Sequence, residues 1–159
     1  MSQKALSRWL YAIIILVALC MAAVYTVIVP SPHLGILGEA YASSPLRVPF
    51  MIFFALTALP IIPALIYAWL IARNIGLDNS FSKANASHLR AISILAAVDG
   101  VYYLIGNLVF FLIAWGEADI PYLQIVLALF AFIVSVAAAA LSHLVLKAAE
   151  LQEQSDLTI

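Results

Sequence analysis

The sequence predicts an all-α integral membrane protein, a four-helix bundle with both termini in the cytoplasm. Three observations carry this. First, 66% of the 159 residues are hydrophobic and 9% are charged, with a mean hydropathy of +1.12. Soluble domains have about 45–50% apolar and about 25% charged residues, and a chain this short cannot hide so much apolar surface from water. Second, four apolar stretches, residues 9–29, 49–72, 91–115 and 122–146, each reach the roughly 20 residues that cross about 30 Å of hydrocarbon. They lack the two-residue alternation of barrel strands. Third, six of the seven Lys and Arg side chains fall in one set of segments. Lys4 and Arg8 precede the first span, Arg73, Lys83 and Arg90 separate the second and third, and Lys147 follows the fourth. Only Arg47 lies in the other set. Basic residues collect on the cytoplasmic side, so Glu39 and Glu117 are expected outside.

The composition also excludes several classes. Disorder requires low hydrophobicity. A formal net charge of −1 with no basic tract argues against direct nucleic-acid binding. One cysteine, Cys20, permits no internal disulfide. The chain reads as a single membrane domain with a short helical tail over residues 147–159.

The first span follows Lys4 and Arg8, and Ala40-Tyr41-Ala42 resembles a cleavage site. Its apolar run exceeds the usual 7–15 residues of a signal peptide, and the triplet lies well beyond its end. It reads as an uncleaved helix. The loop from Pro30 to Val48 reads as a connector on the membrane surface or as a lid over a cavity. Trp9, Tyr25, Trp69, Trp115 and Tyr122 lie near span ends, as interfacial aromatics do. Pro60 and Pro63 remove helix donors in the second span and are expected to kink it.

The loop before the third span carries a turn at Gly76 and Asn79. Ser82 is a good N-cap, which starts the third helix near Lys83, about two turns before the membrane. The same pattern exposes Lys83, His88 and Arg90, either as a solvated helix start or as a docking surface. The fourth helix is expected to continue to Gln154, with Ser155 and Asp156 ending it. The apolar Leu157-Thr158-Ile159 terminus is a candidate peptide handle.

Asp99 stands out inside the membrane. A charge near the bilayer centre costs about 2.5–3.5 kcal/mol on insertion scales, so Asp99 is expected to face other helices. Tyr103, Gly106 and Asn107 follow on the same stripe. They either hold the bundle together or form a polar site for a proton, cation or ligand. No second acid lies inside a span, so a carboxylate pair for acid–base catalysis is missing. His33, His88 and His143 share no metal-ligand spacing, although His143 is a candidate to meet Asp99 or the inner loop. Neither a cofactor, a metal nor an enzymatic activity is expected.

Gln124, Ala128, Ala131, Ser135, Ala138, Ser142, Val145 and Ala149 recur at alternating steps of four and three. This spacing keeps them on one seam, and small residues let helices approach closely in lipid. Ala131, Ser135, Ala138 and Ser142 are its centre. The seam is expected to be a close contact, within one bundle or between copies in a homo-oligomer.

The tail from Leu141 through Ser142 and His143 to Ile159, and the loop Phe81-Ser82-Lys83-Ala84-Asn85 followed by Leu89-Arg90-Ala91-Ile92, resemble the hallmarks of a bacterial membrane-protein family. This is the domain-of-unknown-function 2975 family. Its members usually carry Glu before that Asn, where this chain has Ala84. Read as the reach-back half of a capping box, the change predicts a weaker cap. The resemblance implies four helices, an inner-membrane location and no assigned chemistry. It also implies a partner, since such proteins resemble those encoded beside small Cro-like helix-turn-helix regulators. The expected function is therefore regulatory or signalling, with a cytoplasmic protein bound by Phe81, Ser82, Lys83, Asn85, Arg90, Glu150, Glu153, Asp156, Leu157 and Ile159. The alternative is a small transporter or channel subunit that uses Asp99, Tyr103 and Asn107. Membrane lipid surrounds the chain in either case.

Overall fold

The computed structural model describes residues 2–28, 30, 45–113 and 119–156. Four helices make up the fold: α1 (Gln3–Ala23), which runs on through a π-helical turn Val24–Ile28, α2 (Arg47–Gly76), α3 (Lys83–Ile113) and α4 (Asp119–Asp156). All four are long and apolar enough to cross a membrane. Their outward faces carry large exposed apolar side chains, such as Leu16, Leu59, Leu108 and Val136. Such a surface suits lipid, and the chain is a multi-pass membrane protein.

Two helix starts lie further out than the apolar runs suggest. At α1 the Ser2 hydroxyl accepts from the Ala5 N–H at 3.3 Å, so the helix begins at Gln3. Hydropathy alone overlooks polar residues that are good helix formers. Ser82 caps α3 by accepting from the Asn85 N–H at 3.2 Å. This makes Ala84 the second helical residue and Asn85 the third. The reach-back position of a capping box is the third, so Ala84 does not occupy it, and the expectation of a weakened box at Ala84 is corrected. α2 runs without interruption through Pro60 and Pro63. Each proline removes the N–H that would bond the carbonyl four residues earlier.

The turn after α2 is a Schellman arrangement. The Asn79 N–H bonds the Asn74 carbonyl at 2.9 Å, and the Asp78 N–H bonds that of Ile75 at 3.1 Å. Asp78 takes the left-handed position, with φ of 57°. Gly76 is the last residue of α2 and serves a different purpose. A Cβ there would stand 2.8 Å from the Ser7 hydroxyl.

α3 and α4 share the most extensive interface, followed by α2 with α3 and α1 with α2. They run antiparallel in a register set by two hydroxyl contacts. Ser142 donates to the Ala86 carbonyl at 2.7 Å, and Ser135 to the Ser93 carbonyl at 2.9 Å. Gln124, Ala128, Ala131, Ser135, Ala138 and Ala149 are buried, while Ser142 and Val145 are half-buried. The seam thus packs on α3 of the same chain.

Toward the end away from the termini, Phe50, Phe53, Phe54, Tyr103, Phe110 and Ala128 form the core. Phe53 stacks on Tyr102 with centroids 4.6 Å apart and packs against Gly106. α1 is attached more lightly. Ser7 donates to the Ala72 carbonyl at 2.7 Å, and Tyr11 packs on Trp69 with centroids 4.3 Å apart. Between these contacts and Tyr25 lies an apolar groove of about 300 Å³, lined in part by Ile14, Ala18, Ile66 and Trp69.

A Cβ on Gly106 would come within 2.1 Å of the Phe53 ring, whereas one on Gly100 would meet the Phe132 ring edge at 3.2 Å. Gly106→Ala must therefore displace a ring locked among other rings. It is expected to lower stability in detergent by about 1–3 kcal/mol, and Gly100→Ala by less, as read by thermal unfolding of both variants.

Candidate functional site

Two groups of polar residues stand apart from the apolar packing. One lies at the end of the bundle that carries both termini. There the segment between α2 and α3 meets the start of α1 and the end of α4. Ser80 donates to Gln3 Oε1 at 3.0 Å, and Lys83 Nζ pairs with Glu153 Oε2 at 2.7 Å. The first contact joins the loop to α1, and the second joins the start of α3 to the extended end of α4. Both ionic partners are exposed, so the pair contributes little to stability, about 0–1 kcal/mol.

Asn85 ties this end together from within. It is 1% exposed. Its Oδ1 accepts from Asn74 Nδ2 at 2.7 Å, and its Nδ2 donates to the Asn79 and Ser80 carbonyls at 3.1 and 2.9 Å. Asn85 was expected in the docking set. The structure corrects this, because its amide is committed to the loop and cannot meet a partner. Ser82, half-buried, caps α3. Phe81, Lys83, Arg90, Glu150 and Glu153 remain exposed. Leu77 and Leu151, at 68% and 66% exposure, add apolar surface that the sequence reading did not include. Asp156 ends α4. Leu157 and Ile159 lie outside the described residues, as do His33, Glu39, Trp115, Glu117 and most of the connector read as a lid.

The second group lies inside the bundle. Asp99 is 8% exposed, and its Oδ1 has no hydrogen-bond partner among the described residues. Tyr103, one turn on, is buried, and Asn107 is half-buried. Thr57 of α2, fully buried, is the hub of this region and was absent from the sequence reading. Its hydroxyl donates to the Phe54 carbonyl at 2.7 Å, and the Tyr25 hydroxyl bonds its oxygen. Tyr103 packs against Phe54 with ring centroids 6.0 Å apart, beside the same Thr57 side chain. Tyr25 therefore turns inward instead of lining the membrane surface. It does so from the π-helical turn that follows α1, an irregularity common at functional sites. Asp99 lies close enough to act on the Tyr25, Tyr102 and Tyr103 hydroxyls. α2, α3 and the turn after α1 thus meet around one acid. Gln124, on α4, is fully buried, and neither end of its amide has a partner among the described residues.

His143 does not join this group. It is exposed, and the register of α4 on α3 sets it about 21 Å along the axis from the level of Asp99. His88 instead lies against Tyr67, with ring centroids 5.4 Å apart. Among the described residues no group of His, Cys, Asp and Glu is placed to hold a metal.

Fold and sites together define a multi-pass, four-helix membrane protein with a buried polar centre and a polar end built around both termini. The chain belongs to the family described as "Protein of unknown function (DUF2975)", whose model matches residues 35–159. The match takes in α2, α3 and α4 and begins after α1. No curated protein and no solved structure matches the chain.

Asn85→Ala would leave the Asn74 amide and two loop carbonyls without their partner. Stranding buried polar groups costs about 1–3 kcal/mol, so this variant is expected to unfold earlier in detergent. Ala84→Ser, at an exposed neighbouring position, is expected to leave the melting temperature unchanged.

Proposed function

We propose that this protein is a small regulatory or signalling protein of the bacterial inner membrane that holds a cytoplasmic protein at the end carrying both termini. The observation that carries the reading is the Lys83–Glu153 pair at 2.7 Å. It braces the extended end of α4 against the start of α3, so loop and tail form one platform instead of two loose segments. Phe81, Leu77 and Leu151 stand exposed on the residues around that brace. Exposed apolar side chains among charges of both signs suit a protein partner. The family resemblance supplies the expected class, a small helix-turn-helix regulator. Restraint at the membrane needs only that the partner be held there, and no chemistry by this chain.

Orientation follows from charge. The end with the termini carries Lys4, Arg8, Arg73, Lys83, Arg90 and Lys147, and basic residues favour the cytoplasmic side. Arg47, the exception, donates to the Pro30 carbonyl at 3.1 Å and so fastens the start of α2 to the preceding connector. Reporter fusions after Ile159 and within residues 31–44 are expected to show opposite activities, whereas equal activities would overturn the topology.

Deleting residues 152–159 removes Glu153 but no residue of the buried core. The shortened protein is expected to keep its melting temperature and to lose capture of a small helix-turn-helix regulator, measured by co-purification. Retention of that protein would move the docking site from the tail to the loop.

A second reading, a small transporter or channel subunit, is favoured by the buried and unpartnered oxygen of Asp99. Flux into liposomes that depends on Asp99 would support it, and flux unchanged in Asp99→Asn would end it.

A further inference from the structure

The hydroxyls around Asp99 can be followed proton by proton. Each tyrosine or threonine hydroxyl has one proton to give. Thr57 gives its proton to the Phe54 carbonyl. In the bond between Thr57 and Tyr25, the tyrosine must then be the donor. Tyr103 stands beside the same Thr57 side chain. Tyr102 gives its proton to the Phe53 carbonyl at 3.2 Å. The Thr57, Tyr25 and Tyr102 protons are committed, and among the described residues Asp99 Oδ1 receives none. Lone pairs on the tyrosine oxygens are what these side chains still offer.

Among the described residues, no cationic side chain acts on Asp99 either. A buried carboxylate oxygen without a counter-charge or a donor is strongly unfavourable. Buried polar atoms are otherwise almost always paired. The group therefore calls for a guest that brings positive charge and accepts lone pairs. We infer that Asp99, with the hydroxyl oxygens of Tyr25, bonded to Thr57, and of Tyr103, one turn along α3, binds a small monovalent cation, an alkali ion or a proton.

The donor set decides the class. It is all oxygen, with no imidazole or thiolate, which suits hard cations. One carboxylate neutralises one positive charge, and a divalent ion would leave a net charge in an apolar interior. Gln124 extends the site toward the end away from the termini. The register places it level with Leu104, about 7.5 Å along the axis from Asp99. Its buried amide, unpaired among the described residues, is a further polar group on that side of Asp99.

The titratable groups facing Asp99 are Tyr25, from the turn after α1, and Tyr102 and Tyr103, on α3 itself. α2 presents Thr57, and α4 presents no titratable side chain between Gln124 and Ser135. Asp99 is thus the group that exchanges its proton or ion.

The inference shares its site with the transporter reading and rests on that reading only there, since binding is measured without flux. Purified full-length protein in detergent is unfolded thermally in rising sodium or potassium chloride, with N-methylglucamine chloride holding the ionic strength constant. A second arm varies pH without alkali ions. A saturable rise in melting temperature in the first arm, abolished in Asp99→Asn, identifies an alkali ion. A response confined to the pH arm and abolished in Asp99→Asn identifies a proton. For an alkali ion, Tyr25→Phe and Tyr103→Phe, which each delete one oxygen, are expected to weaken binding by about tenfold. Flat curves for the wild-type protein in both arms overturn the inference, and so does a response that Asp99→Asn retains. Binding without flux would end the transporter reading alone.

Discussion

The close approach of α3 to α4 sets the geometry on which the other contacts depend. In lipid, helices gain little from the hydrophobic effect by meeting, and dispersion and polar contacts must hold them. Here Ala128, Ala131 and Ala138 keep α4 thin along one face, and two serine hydroxyls reach across to carbonyls of α3. Those bonds require near contact between the backbones. They also fix the register, and the register decides which side chains share a level in the membrane.

From that register the two polar regions follow. α4 is long enough to leave the apolar region beside the start of α3, which brings Glu153 to Lys83. Deeper in, the same pairing covers Asp99 and Tyr103 while α2 lays Phe53, Phe54 and Thr57 over them. Gly106 has no Cβ because the Phe53 ring occupies that space. α1 adds Tyr25 through the π-helical turn at its end, and otherwise holds to α2 through Ser7 and Tyr11. It is the most lightly attached helix, yet it supplies one hydroxyl of the central cluster.

Much of this was legible in the sequence. Hydropathy gave the four helices, because lipid rewards long uninterrupted apolar runs. The alternating steps of four and three along α4 marked the face that is buried, since that spacing follows the turn of a helix. Asp99 stood out as too costly to face lipid. The rest depended on how neighbouring helices are rotated, which spacing along one helix does not reveal. Thr57 is a neutral residue in an apolar run, and only the arrival of Tyr25 and Tyr103 makes it a hub. Asn85 lies in the first turn of α3, after a polar loop, and read as surface, but its amide is enclosed by the turn that it holds. Gly76 looked like a turn residue, whereas its missing Cβ makes room for Ser7 and Asp78 takes the left-handed position.

The most direct test of this account is a disulfide between α3 and α4. The Ser93 and Ser135 hydroxyls lie 3.3 Å apart across the seam. With Cys20→Ser as background, the pair Ser93→Cys and Ser135→Cys is oxidised in membranes and resolved by non-reducing gel electrophoresis. The account predicts an intramolecular bond, seen as a species of monomer size with altered mobility that reverts on reduction. Crosslinking only between chains, or none while the thiols remain reactive, would contradict the pairing of α3 with α4 within one chain.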